Sequence, residues 1–169
     1  MAITTSDVLI RGSGGSGETN VNNWIGGAIS NTALVDNTLN NLFSDVTGSQ
    51  SLAGLTRYRM VYILNNHGSL TMKNVRVYVS TNSTSTTEEL DIGLAAAGLN
   101  ATETAIANET TTPASVTFSH PTTYAGGLAP ADIPAGQRYG VWVREVVDAG
   151  TAAKDNNTTV IKVDCDTNE

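Results

Sequence analysis

Apolar residues along this chain come in short bursts that alternate with polar ones, the period of strands rather than of helices. The clearest burst is "TRYRMVYILNNHGSLTMKNVRVYVS", residues 56–80. Tyr58, Met60, Tyr62 and Leu64 fall on one face of a strand. Arg57 and Arg59 fall on the other, which turns apolar at Val61 and Ile63; the strand is therefore expected to be solvated at its first end and buried on both faces at its second. "NNHGS" supplies turn residues, with Gly68 free to take positive φ, and predicts a hairpin into a second strand. There the apolar phase flips from Leu70 and Met72 to Val75, Val77 and Val79, which predicts a β-bulge near Lys73 and Asn74.

Further strands are expected at "EELDIGLA", "SVTFSH", "GQRYGVWVREVV" and "TTVIKVDC". Tyr58, Tyr62, Val77, Val79, Val141 and Val143 are the expected core, with Trp142 on the face opposite its two valine neighbours. "HPTTYAGGLAPADIPAGQ" reads as a long loop, since Pro130 and Pro134 bar it from a central strand. One short helix is predicted in "DNTLNNLFSDVTG", where Leu39, Leu42, Phe43 and Val46 have helical spacing and Asp36 or Asn37 serves as cap. Seven or eight strands with frequent turns predict an all-β fold, an antiparallel β-sandwich of jelly-roll or immunoglobulin-like type with that helix plugging one end.

The amino end reads differently. "LIRGSGGSGE" places Gly12, Gly14 and Gly17 in the G-x-G-x-x-G spacing of dinucleotide-binding loops, after the apolar run Val8-Leu9-Ile10. That chemistry needs a helix directly after the glycines, whose free N–H groups hold the pyrophosphate. The following "ETNVNNWIGGAISN" has three asparagines, a Gly-Gly pair and no helical apolar stripe, so no cofactor is expected there. The alternative is an extended glycine-rich arm over residues 1–23, ahead of a single β-sandwich domain over residues 24–169. Val8, Leu9 and Ile10 would be its adhesive segment on a neighbouring subunit, and Trp24 a further candidate interface residue.

Composition narrows the partners. A chain of 169 residues suits one domain, and Thr, Asn, Ser and Gly favour strands joined by polar turns. Net charge is −7 and the nine basic residues are scattered, which argues against a nucleic-acid surface. No apolar run reaches the length of a membrane span, and "MAITTSDVLI" lacks the pattern of a signal peptide, so synthesis and folding in a cytoplasm are expected.

No catalytic, cofactor-binding or metal-binding set is expected. His67 and His120 stand beside turn residues and belong to no H-x-x-x-H or H-x-H pair. Cys165 is alone, in an acidic "DCDTNE" that raises a thiol pKa. Asp164, Asp166 and Glu169 lack the spacing of a calcium loop, and Glu88, Glu89 and Asp91 suit an exposed strand edge better than a glycosidase pair. Trp24 and Trp142 are too few rings for a sugar-binding platform, and packing is the expected role for both.

Two segments, "NNLFSDVTGSQSLAGLTRYRMVYILNNHGSLTMKNVRVYVSTNSTSTTEELDIGLA" and "IPAGQRYGVWVRE", resemble a family of small virion structural proteins encoded by tailed bacteriophages. In that family an "NNLF" element precedes a hairpin and a late "gvWvR" strand closes the domain; the likeness spans residues 24–163. The family hairpin often carries a lysine before its turn, where this chain has Leu64-Asn65, so that position is not expected to be functional. The resemblance implies a capsid decoration or cement protein on the exterior of the virion, made in the host cytoplasm. It also implies two partners, the major capsid protein and the chain itself, as a homo-oligomer of trimeric type. The alternative is a tail, fibre or host-attachment protein directed at a cell-surface glycan.

Overall fold

A computed structural model describes residues 2–154 and 157–166. It contains β1 (Val8–Ser13), β2 (Ile29–Ala33), α1 (Gly48–Ala53), β3 (Leu55–Asn65), β4 (Lys73–Thr81), β5 (Glu88–Leu94), β6 (Arg138–Val147) and β7 (Val160–Asp166). All strand pairs are antiparallel. One sheet has five strands in the order β2-β1-β3-β6-β5; the other has two, β4-β7. The chain is an all-β antiparallel sandwich with one short helix.

The period-two phase of β3 and β6 builds both layers of core. Val61 and Ile63 of β3, Val141 and Val143 of β6, Ile92 of β5 and Val8 and Ile10 of β1 face β4, where they meet Val75 and Val77. On the reverse face Tyr58, Met60, Tyr62 and Trp142 pack with Ala95 against Ile106, Val116 and Phe118 of the long irregular stretch that follows β5. That stretch lies directly on the sheet at Gly93, where an added Cβ would stand 2.6 Å from Val116 Cγ1 and 2.9 Å from the Thr117 carbonyl oxygen. All six expected core residues are buried, and Trp142 takes the face opposite Val141 and Val143.

Six expectations need correction. Strands β3 and β4 do not form a hairpin, because both edges of β3 are taken, by β1 and by β6. The turn chemistry of "NNHGS" instead carries the chain out of the sheet. Asn65 Oδ1 accepts the His67 amide, His67 Nδ1 accepts the amides of Ser69 and Leu70, and Asn65 Nδ2 donates to the Leu70 and Ile133 carbonyls. The bulge does occur, as a register shift between Lys73 and Arg76 with Asn74 at φ 52°. "SVTFSH" is not a strand, and only Ser119 bridges to Ile92 of β5.

The helix lies further on than its apolar spacing suggests. Asn37 and Asn40 adopt φ of 56° and 58°, left-handed values that break any helix there, and Leu39 is 68% exposed. The helix that forms, α1, starts after Thr47, whose Oγ1 accepts the Gln50 amide while Gln50 Oε1 accepts the Thr47 amide.

Nor is there an extended arm over residues 1–23. Val8–Gly12 pair residue for residue with Val61–Asn65, so Val8, Leu9 and Ile10 form an interior strand of their own domain's sheet, and Ile3 is buried ahead of them. Trp24, 1% exposed, lies over Gly12 so closely that a Cβ there would stand 2.0 Å from its Cε2; it is core and offers no interface. Finally, the Arg57 end of β3 is not solvated: Arg57 and Arg59 are 1% and 0% exposed.

Candidate functional site

Three groupings stand out once the sheets are assembled. The first is the buried arginine pair. Arg57 and Arg59 share the inner face with Val61 and Ile63, and Glu145 shares it with Val141 and Val143, since Arg57 stands opposite Glu145 in the β3–β6 register. The Arg57 Nε donates to Glu145, and its terminal nitrogens donate to the Oγ and carbonyl of Ser44. Arg59 donates to Glu109, to Asn22 Oδ1 and to the Tyr58 carbonyl. The Phe43 ring covers both guanidinium groups, 5.1 Å and 5.5 Å from its centroid. Burial pushes the Glu145 carboxyl above its ordinary value, against the pull of Arg57. Every charge here points at a structural partner, so the grouping clamps residues 43–44, 22 and 109 onto the sheet. A sign of it exists in the sequence, in opposite charges placed in phase with apolar residues on two strands.

The second grouping lies at β5. His120 Nδ1 stands 2.6 Å from the Leu90 carbonyl, 3.4 Å from Glu89 Oε1 and 4.0 Å from Asp91 Oδ1. The exposed strand edge expected of Glu89 and Asp91 holds for Glu89, whereas Asp91 is buried, and nothing in the sequence groups the two with His120, about 30 positions distant. Two carboxylates and an imidazole within 4.8 Å of one another fit a divalent cation in outline. Part of the donor set is engaged elsewhere: Arg144 binds Asp91 Oδ2 through Nε and a terminal nitrogen at 3.0 Å and 2.6 Å, and His120 Nδ1 bonds the Leu90 carbonyl, while His120 Nε2 is buried without a partner among the described residues. Arg144 also stacks on Phe118 at 4.9 Å. The cluster pins residues 118–120 along the edge of β5. His67, by contrast, sits in its turn as expected.

The third grouping is strand β7. Its inward side chains, Ile161, Val163 and Cys165, are all half-buried, whereas Val75, Val77 and Val79 of the adjoining β4 are buried. Outward, Asp164 accepts from Tyr78 Oη at 2.7 Å and from Lys162 Nζ at 3.0 Å. Burial opposes charge on Asp164, but these two partners hold its carboxyl below the usual value, and the same hydrogen bonds raise both Tyr78 and Lys162. Burial raises the Cys165 thiol, with Asp166 and Asp164 adding to it. Asp166 accepts from Asn74; Glu169 lies outside the described residues.

The tryptophans offer no sugar platform, since Trp24 and Trp142 are both buried. A shallow groove of about 470 Å³ runs beside residues 96–115, lined by alanines, Ile106 and Glu103, and the Glu103 carboxylate accepts the Ala97 amide. Among the described residues no helix is long and apolar enough to cross a membrane. No family model matches the chain, nor does any curated protein or solved structure.

Proposed function

We propose that the protein is a structural subunit that works by docking: a decoration or cement protein of a tailed-phage capsid, held on the virion exterior against the major capsid protein. The observation that carries a docking role is β7. A second layer that stops at two strands leaves the inward apolar residues of β7 half-covered and its outer side without a neighbour among the described residues, which is the state of a surface awaiting a partner. The capsid itself is suggested by the resemblance of residues 24–163 to small phage virion proteins, and the acidic net charge suits a basic receiving surface. The buried tryptophans favour this reading over a glycan-binding tail or fibre protein.

Cryo-electron microscopy of particles carrying this chain, with mass spectrometry of their protein content, tests the assignment. Density for the sandwich on the capsid exterior is expected. Density in the tail alone, or absence of the chain from purified particles, overturns it.

A further inference from the structure

The edges of the two sheets are finished very unequally. The outer side of β5 exchanges hydrogen bonds with Ser119, 2.9 Å and 3.0 Å long. Along β2, which a bulge interrupts, the Asn31 amide and the Ser30 and Thr32 hydroxyls donate to the carbonyls of Ser16 and Glu18. The free side of β4 is closed by Leu128, Ile133 and Pro121. Only β7 has no backbone partner on its outer side among the described residues.

Which groups β7 presents follows from the register. Val77 and Val79 turn their N–H groups away from β7, toward Leu128 and Pro121, so Arg76 and Tyr78 are the residues that bond to β7. Their partners Asp164 and Lys162 face β4; Ile161, Val163 and Cys165 therefore direct their N–H and C=O groups outward. These are also the residues whose inward side chains remain half-buried. A strand added here satisfies both deficits together.

We infer that the occupant is β7 of a second copy, antiparallel and centred on Val163, so that β4-β7 of each chain join in one four-stranded sheet. Charge selects this register. A common inner face requires like positions to meet, which leaves centres at Lys162, Val163 or Asp164 near the middle of the strand. The first sets Lys162 against Lys162 and the last Asp164 against Asp164. Only the centre at Val163 sets Lys162 against Asp164 twice, Val163 against Val163, and Ile161 against Cys165, with about six hydrogen bonds between subunits. The contact is two-fold, so it makes a dimer, in place of the trimer that the phage resemblance implies. It deepens the docking reading by giving the β7 edge to the contact between copies and leaving the capsid to another face of the dimer; it needs no capsid, so the purified chain tests it while the particle experiment tests the location.

The experiment is light scattering with gel filtration of the full chain, with three variants. Wild type should run as a dimer. Lys162→Asp should weaken association about tenfold by placing like charges opposite twice, and adding Asp164→Lys should restore it. Ile161→Cys should form a covalent dimer with native Cys165 on oxidation. Directly opposed residues in such a pair lie about 5.5 Å apart, within disulfide reach, while residues 161 and 165 of one chain are about 13 Å apart. Wild type, with Cys165 far from its own copy, should not cross-link. A monomer at the highest soluble concentration, a trimer, an oxidised wild-type dimer, or an Ile161→Cys protein that keeps its circular dichroism and stays uncrosslinked would each overturn the proposal.

Discussion

Replacing Glu145 by Leu should destabilise the protein far more than its modest size change suggests. The substitution leaves the Arg57 guanidinium inside the sandwich with Ser44 and the Phe43 ring but no counter-charge. Arginine cannot shed its proton, so the cost is that of an unpaired buried charge, about 3–5 kcal/mol. Arg57→Met should cost less, because the orphaned Glu145, already raised by burial, escapes its charge by taking up a proton. The double variant removes both charges and leaves the Ser44 oxygens without their donor, about 1–3 kcal/mol. The sum of the single losses should thus exceed the double loss by a few kcal/mol. Urea unfolding followed by tryptophan fluorescence reads this, since Trp24 and Trp142 are both buried. A loss below about 1 kcal/mol for Glu145→Leu, or additive single losses, would show that the pair is solvated and the clamp wrongly drawn.

The same pair sets a pH dependence. The folded Glu145 carboxyl titrates above its ordinary 4.5, so its contribution to stability is full below that value and is lost as pH rises through the folded one; the stability of wild type relative to Glu145→Gln should fall as pH rises above 4.5. A difference that rises with pH above 4.5 would reverse the assignment. Gly12→Ala drives a methyl into the Trp24 indole and should cost about 1–3 kcal/mol in chemical unfolding with altered tryptophan emission, whereas an unchanged curve would mean Trp24 does not lie over β1. Deleting residues 1–17 removes β1 from between β2 and β3 and should abolish the cooperative thermal transition in circular dichroism. A truncated protein that melts like the full chain would restore the extended arm.

What was legible in the sequence is what short-range alternation decides. The faces of Tyr58, Tyr62, Val61, Ile63, Val141, Val143 and Trp142 follow from period two alone, because burial on a strand depends on parity wherever the strand is placed. Pairing is a contest between distant segments. "NNHGS" has the chemistry of a hairpin, yet β1 and β6 hold both edges of β3, and nothing within residues 56–80 announces them. The arginines looked solvated because the partner that permits their burial, Glu145, is 88 positions beyond Arg57. The helix slipped because two asparagines prefer left-handed backbone to the apolar spacing around them.

The candidate interface moved for the same reason. An apolar strand beside glycines needs a partner, and within ten residues of Val8, Leu9 and Ile10 none exists, so a neighbouring subunit was the natural supplier. The supplier is β3 of the same chain, more than fifty positions on, with Gly12 and Trp24 sealing the contact. The criterion itself stands: an apolar inward face with no strand beyond it demands a partner. Applied to the assembled sheets instead of the bare chain, it passes over β1, whose two sides are filled, and falls on β7, whose outward backbone groups find no partner among the described residues and whose Ile161, Val163 and Cys165 pack on the core yet stay half-buried.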